Sequence, residues 1–235
     1  MNAMGLPNPG IEAFEEEMKV AFRSGIPIIG SVFGASAEEF ASLSRKMQDY
    51  GAEAVELNLS CPHAKGYGME MGVDPEVVAN IIREVKSAVC IPVFAKLTPN
   101  THRLIDVAKA AEESGVDGIV AINTLKAMKI DVDMRRPVLS NRYGGLSGPA
   151  VRGVGVRCVY ELYENLKIPV IGVGGIEDWR SALEYMMAGA AAVQVGSGVG
   201  RVGAKVFGDI CSGMASYMSE NGFRDVTQLV GVAHD

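Results

Sequence analysis

Short apolar runs alternate with longer amphipathic runs along the chain. Each apolar run is rich in valine and isoleucine and is apolar at odd and even positions alike, which is typical of parallel strands buried on both faces. The alternation of such strands with helices predicts an α/β fold with a parallel sheet. The predicted strands are residues 27–33, 53–59, 91–97, 117–123, 168–174 and 191–197.

The helices between these strands carry recognisable start and stop signals. Ser36 and Glu39 form an S-x-x-E capping box, and Pro75 follows Asp74 as a proline at the first helical position. A first helix is predicted at about residues 10–24, before any strand. The other predicted N-caps are Asp178 and Asp225, the latter with Gln228, and the predicted helix ends are Gly51, Gly115 and Gly189.

The strands begin in two ways that alternate strictly. Three strands begin at an Ile-Pro pair, which starts at Ile26, Ile91 and Ile168. Each of the other three strands follows a short stretch that starts with glycine. The repeating unit is therefore two βα modules, present three times, which favours a barrel over an open doubly wound sheet. A TIM (β/α)8 barrel has eight βα units, whereas only about six are present. We expect one barrel domain, residues 1–235, that lacks the first two units at its N-terminus.

Composition and charge narrow the possible partners. The formal net charge is −6 and no basic run is present, which argues against nucleic acid and anionic membranes. No apolar run approaches the roughly 20 residues that span a bilayer. The four cysteines are scattered without a C-x-x-C pair, so we predict no metal site and reduced thiols in a cytoplasmic protein.

One connection is unusually long. Residues 125–148 lie between a predicted strand and a predicted helix and end in the glycine-rich stretch RYGGLSGPA. Connections of this length inside a compact domain are usually functional or mobile. The glycines would let the backbone approach a ligand closely.

The carboxyl ends of the predicted strands carry the candidate chemistry, because a barrel places its active site there. The first four ends are polar, and the last two are glycine-rich, as in the phosphate cradles of barrels. This asymmetry suits a ligand with a polar head and a phosphate tail. The polar ends carry Ser31, Asn58 with Cys61, Lys96, and Asn123 with Thr124, and the glycine-rich ends carry Gly174, Gly175, Gly196 and Ser197.

Lys96 and Cys61 at these ends, and His63 in the loop after Cys61, have competing interpretations. Lys96 either marks the exit of a strand into solvent or meets an anion, and the apolar run around it favours the anion. Cys61 is either core filler or a base beside a glycine loop that closes over a substrate. His63 is equally well explained as a solvated loop residue or a ligand contact.

The motifs together are similar to those of a known family. NAMGLPNPG, NLSCPH, FAKLTPN, AINT, GGLSGPA, GVGGI and QVGS, in this order, resemble the class 1 dihydroorotate dehydrogenases over the whole chain. That family is an FMN-containing (β/α)8 barrel that oxidises dihydroorotate to orotate in pyrimidine biosynthesis. The resemblance therefore implies an oxidoreductase and a flavoprotein.

The resemblance also implies a role for each matching residue. Cys61 would take a proton from C5 of dihydroorotate while a hydride passes from C6 to the flavin N5. Lys96 would lie against the flavin pyrimidine and stabilise negative charge there. The substrate contacts would be Asn2, Met4, Gly5, Leu6, Asn58, Asn123 and Thr124, and the FMN contacts Ser31, Asn58, Lys96, Ile122, Gly148, Gly174, Gly175, Gly196 and Ser197.

The same resemblance also indicates which partners to expect and which other functions compete with this one. The chain looks like the 1B type, which pairs with an iron–sulfur flavoprotein subunit that passes electrons to NAD, and a homodimer or heterotetramer is expected. His63 stands where the family commonly has asparagine, and SCPH also resembles the flavin domain of dihydropyrimidine dehydrogenase, which acts on uracil and thymine. A phosphate-binding isomerase or aldolase barrel without flavin, and a non-catalytic fragment, are the remaining alternatives.

Overall fold

The computed structural model describes residues 1–59 and 71–234. The chain forms two compact units. The first unit comprises Met4–Leu97 and Asp106–Ile119, and the second comprises Met1–Ala3, Thr98–Ile105 and Val120–Asp235. Within the described ranges, no helix is both long and apolar enough to cross a bilayer.

The first unit is built on three parallel strands in the order β1, β2, β3. Their register places Ser31 beside Glu56 and Asn58 beside Lys96. Helices α2 and α3 pack against each other. The elements are α1 (Phe14–Phe22), β1 (Ile29–Val32), α2 (Ala37–Asp49), β2 (Ala54–Asn58), α3 (Pro75–Ala88), β3 (Val93–Leu97) and α4 (Leu104–Glu113), whose first two residues belong to the second unit.

The chain passes from the first unit to the second within strand β4 (Gly118–Ala121). In the second unit β9 and β10 pair in parallel, with Val173 beside Gln194. The further elements are β5 (Leu125–Ala127), β6 (Ile130–Asp131), β7 (Arg136–Pro137), β8 (Gly144–Leu146), α5 (Arg152–Asn165), β9 (Val170–Val173), α6 (Trp179–Met187), β10 (Ala190–Gln194), α7 (Ser197–Val202) and α8 (Val206–Asn221).

The predicted fold class is confirmed. All six predicted strands are present, each followed by a helix, and they give six βα units within the described residues. Parallel strands that alternate with helices are the arrangement of a TIM-barrel-type α/β fold. The core of the first unit includes Val55 and Leu57 on β2, and both are fully buried.

The expectation that every strand is buried on both faces is wrong for β1 and β10. Gly30 and Val32 of β1 are buried, and Gly30 lies against the side chain of Met47 on helix α2. Ile29, on the other face, is 46% exposed. In β10 the second and third residues are likewise exposed. An apolar run in sequence therefore does not distinguish a strand covered on both faces from one covered on a single face.

The long connection 125–148 is more regular than its sequence indicated. It folds as two short antiparallel strand pairs, β5 with β8 and β6 with β7. These strands are two or three residues long, which is too short to show an alternation of apolar and polar positions.

The helix caps follow the sequence closely, with one shift. The Ser36 hydroxyl accepts the Glu39 N–H at 3.2 Å, but the Glu39 carboxylate accepts the Ala35 N–H at 2.7 Å rather than that of Ser36. The reciprocal bond is thus displaced by one residue. The caps at Asp74, Asp178 and Asp225 and the positive φ angles of Gly51, Gly115 and Gly189 are as predicted.

The cap of α6 makes a testable contribution to stability. The Asp178 carboxylate accepts the Ser181 N–H at 2.8 Å, and this bond lowers the pKa of Asp178. Asp178→Ala should therefore reduce the free energy of unfolding by about 1 kcal/mol at pH 7. A lowered folded-state pKa gives stability that is present above the unfolded value of about 3.9 and lost as the pH falls through the folded value.

Urea unfolding at pH 7 and pH 3 measures both effects, with Asp178→Asn as the matched control. Asparagine caps a helix as well as aspartate does but does not ionise. The asparagine variant should therefore keep the stability at pH 7 and lose part of its pH dependence. Equal stability of Asp178→Ala and the unmodified protein at pH 7 would contradict this account of the cap.

Candidate functional site

Four polar side chains share one face of the sheet in the first unit. Ser31 on β1 is the register partner of Glu56 on β2, and Asn58 is the register partner of Lys96 on β3. Glu56 and Asn58 are two residues apart on one strand and therefore point to the same side. The structure thus brings three predicted site residues, Ser31, Asn58 and Lys96, to one face that also carries Glu56, which no sequence motif singled out.

Glu56 is the charged centre of this face. The Lys96 Nζ lies 3.3 Å from a carboxylate oxygen of Glu56, and the Ser31 hydroxyl donates to that oxygen at 3.3 Å. The side chains of Lys96 and Glu56 are only 19% and 7% exposed. Burying two charges this deeply is tolerable because each compensates the other. Lys96 therefore pairs with a carboxylate of the protein rather than ending in open solvent, and its contact with a flavin stays a prediction.

A cavity of about 520 Å³ adjoins this face. It is lined by Leu6, Ser31 and Asn58 among the predicted residues and by apolar side chains that include Ile11 and Phe14. Its volume lies within the roughly 300–1,000 Å³ of small-molecule sites. Met4 and Gly5, which were also predicted as contacts, are exposed. Leu6 is a non-glycine residue with φ of 57°, which turns the chain beside the cavity.

In the second unit, Asn2 and Thr124 are brought together through Gly145. Asn2 and Gly145 exchange both backbone hydrogen bonds, at 3.0 and 2.8 Å. A Cβ atom on Gly145 would lie 2.5 Å from the Thr124 hydroxyl oxygen, so only glycine fits there. The neighbouring Asn123 side chain accepts the Thr124 N–H at 2.7 Å.

Asn100 organises the same region and was not among the predicted site residues. Its amide nitrogen donates to the Thr98 hydroxyl and to the Thr124 carbonyl, both at 3.0 Å. Its amide oxygen accepts the Lys126 N–H at 2.9 Å. The position just after a predicted strand was the available signal, because such positions carry polar side chains in barrels.

Several predicted FMN contacts lie together in the second unit and form a cradle, of which Gly174, Gly175, Gly196 and Ser197 were predicted for the phosphate. Gly148, Gly174 and Gly175 all have positive φ, at 81°, 137° and 69°. A Cβ atom on Gly175 would lie 2.6 Å from the Gly148 carbonyl oxygen, so the two backbones touch. The Ser197 hydroxyl is 3.8 Å from the Cβ position of Gly148, and Gly196 precedes it. Ile122 lies against Gly174, with its Cγ1 3.8 Å from the Cβ position.

The glycines of this cradle leave the backbone open to the close approach of a ligand. A Cβ atom on Gly175 would collide with the backbone of Gly148, and one on Gly174 would press against the Tyr185 hydroxyl. All three glycines have positive φ angles, which L residues rarely adopt. The surface is therefore made of backbone, which can approach a phosphate closely.

Some predictions lie beyond what the structure describes. Cys61 and His63 fall in residues 60–70, outside the described ranges. Within those ranges, no three histidine, cysteine, aspartate or glutamate side chains group as a metal site would require. The first unit holds Asn58 and Lys96, and the second holds Asn123, Thr124 and the cradle. That all of them serve one site stays a prediction.

Comparison with known proteins gives one consistent result. A family profile described as dihydroorotate dehydrogenase matches residues 1–218. The dihydroorotate dehydrogenase B (NAD(+)) catalytic subunit of Thermoplasma acidophilum is 55% identical over 233 residues, 99% of this chain and 77% of that protein. The proteins of the same name from Methanocella arvoryzae and Pyrococcus furiosus are 51% and 50% identical, over 100% and 99% of this chain and 76% and 77% of their own length.

Proposed function

The chain belongs to the dihydroorotate dehydrogenase family, and from that membership we propose that it oxidises dihydroorotate to orotate in pyrimidine biosynthesis. The observation that carries the proposal is the family match over residues 1–218, which includes every candidate site residue. The pair of Asn58 and Lys96 on neighbouring strands supports it, because it would place a substrate contact beside the cation proposed to lie against the flavin.

We propose FMN as the flavin. Bound FMN supplies a hydride acceptor, which no amino-acid side chain provides. Lys96 would lie against the flavin pyrimidine, where its charge stabilises the electron-rich ring. The glycines at 174, 175 and 196 and the Ser197 hydroxyl would hold the phosphate, and Gly148 would also line the FMN. Ser31, Asn58 and Ile122 would contact the rest of the flavin.

Cys61 is proposed as the base that takes the C5 proton of dihydroorotate. A single proton moves in this half of the reaction, so one well-placed thiolate is sufficient. Asn58, Asn123 and Thr124 would hold the ring and carboxylate of the substrate, together with Asn2, Met4, Gly5 and Leu6 from the start of the chain. Fixing both ends of the substrate aligns its C5–H with the base.

We further propose that the protein is the catalytic subunit of a larger enzyme. The relatives are named catalytic subunits of an NAD(+)-dependent dehydrogenase, which implies a second subunit in their enzymes. In this protein a partner carrying an iron–sulfur cluster and a flavin would pass electrons from FMN to NAD. The expected assembly is a homodimer of this chain or a heterotetramer with that partner.

Substrate choice tests the proposed function. The purified protein with FMN and a dye acceptor should convert dihydroorotate to orotate and should leave dihydrouracil and dihydrothymine unchanged. A flavoprotein absorbs at about 450 nm, so the protein should also be yellow. Turnover of dihydrouracil alone would favour the dihydropyrimidine alternative, and a colourless protein that takes up no FMN would favour a non-flavin barrel.

A further inference from the structure

A fully buried tyrosine stands directly behind the glycine cradle. Tyr185 on helix α6 has no exposed surface, and its hydroxyl donates a hydrogen bond of 2.8 Å to the Gly174 carbonyl. Burial raises the pKa of Tyr185, so the phenol keeps its proton and remains a donor. Tyr185 could not be singled out from the sequence, because a tyrosine in an amphipathic helix usually packs in the core.

Glycines on α5, on β9 and just after β9 make room for this ring. A Cβ atom on Gly155 of α5 would lie 2.0 Å from the Tyr185 hydroxyl oxygen, and one on Gly172 of β9 would lie 2.5 Å from the ring. A Cβ atom on Gly174 would lie 3.0 Å from the hydroxyl. A slot this tight holds the hydroxyl in one place.

The Tyr185 hydroxyl is hydrogen-bonded to the same peptide group whose N–H would bind a phosphate. The Gly174 carbonyl and the Gly175 N–H belong to one planar peptide unit, and in a trans peptide they point in opposite directions. Fixing the carbonyl toward Tyr185 therefore fixes the Gly175 N–H away from it. Without that anchor the peptide would be free to rotate, because glycine tolerates many backbone conformations.

We propose that Tyr185 is a positioning residue whose buried hydroxyl orients the Gly174–Gly175 peptide so that the Gly175 N–H binds the flavin phosphate. The inference rests on the proposed FMN-dependent function and adds to it a residue that contacts neither flavin nor substrate. Loss of the Tyr185 hydroxyl should weaken only the binding of the phosphate, since the rest of the flavin is held by other residues.

Comparing FMN with riboflavin tests this inference, because riboflavin is the same flavin without the phosphate. Tyr185→Phe keeps the ring in its slot and removes only the hydroxyl. The dissociation constant of FMN, measured by fluorescence quenching on flavin-free protein, should rise about threefold to tenfold, as expected for one hydrogen bond. The dissociation constant of riboflavin should change less than about twofold.

Tyr160→Phe is the matched control. In the unmodified protein the Tyr160 hydroxyl also donates to a backbone carbonyl, that of Ala233 at 3.4 Å, but away from the cradle. Tyr160→Phe should leave the dissociation constants of FMN and of riboflavin unchanged. Unchanged FMN binding in Tyr185→Phe would overturn the inference, as would an equal loss for both flavins, which would indicate a merely structural role. If the unmodified protein binds neither flavin, the proposed function fails first and the inference falls with it.

Two variants on helix α5 also test whether the Tyr185 hydroxyl orients the peptide. They do not depend on the folding of Tyr185→Phe. Gly155→Ala should displace the hydroxyl and weaken FMN binding selectively, whereas Gly153→Ala on the same helix meets open space and should not. Adding Tyr185→Phe to Gly155→Ala removes the closest clash, so the double variant should bind riboflavin normally and FMN as Tyr185→Phe does. Equal FMN affinity in Gly155→Ala and Gly153→Ala would overturn the inference.

Discussion

Replacing Cys61 with alanine should lower the rate of dihydroorotate oxidation by roughly 10²–10⁴ while FMN stays bound. The reaction cannot release its C5 proton without a base, and alanine offers none. Water entering the site would replace the thiolate only poorly, because it is neither positioned nor sufficiently basic. The loss should therefore appear in the rate of flavin reduction and not in the affinity for FMN.

Two other cysteines provide the controls. Cys90 and Cys211 are both exposed, and alanine at either position should leave turnover unchanged. In the unmodified protein the rate of flavin reduction should rise with pH as the base ionises, and this rise should be absent in Cys61→Ala. Turnover that survives Cys61→Ala within a factor of about two would remove Cys61 from its proposed role.

Replacing Lys96 with methionine should have two separable effects. It leaves the Glu56 carboxylate, which is 7% exposed, without its lysine, and removing one partner of a buried ion pair costs about 3 kcal/mol of unfolding free energy. It also removes the charge proposed to stabilise the electron-rich flavin, which should slow flavin reduction by about 10²-fold.

A double variant separates stability from chemistry. Adding Glu56→Gln to Lys96→Met removes the buried negative charge that has lost its lysine and should recover most of the stability, but flavin reduction should stay slow. Lys205→Met is the control for a surface pair, because Lys205 and Asp209 are 4.0 Å apart and largely exposed, and it should change stability by less than about 1 kcal/mol. If the double variant regains full activity, Lys96 acts only on stability and its proposed chemical role is wrong.

The strands and most helix caps were predictable because their signals are local. A run of valine and isoleucine, or an aspartate before a helix, acts over a few residues whatever surrounds it. The exposed positions of β1 and β10 were not predictable, since an apolar run does not show which of its residues neighbouring elements cover. The short strands of residues 125–148 were missed because two or three residues show no periodicity.

Some residues of the candidate site could likewise be predicted from the sequence, and others could not. Asn58 and Lys96 were found because they stand at strand ends, a position that can be counted along the chain. Glu56 was missed because its importance depends on the register that brings Ser31 and Lys96, 25 residues before it and 40 residues after it, to one carboxylate. Tyr185 was missed for a similar reason: the glycines that receive its ring lie on α5 and β9 and have no sequence relationship to it.

The most direct test of the central claim is to mix the FMN-loaded protein with dihydroorotate in the absence of oxygen and of any other electron acceptor. We expect the flavin absorbance at about 450 nm to bleach as orotate forms, one molecule for each flavin reduced. Protein that binds FMN but neither bleaches nor forms orotate at saturating dihydroorotate would contradict the proposal that this chain carries out the oxidation.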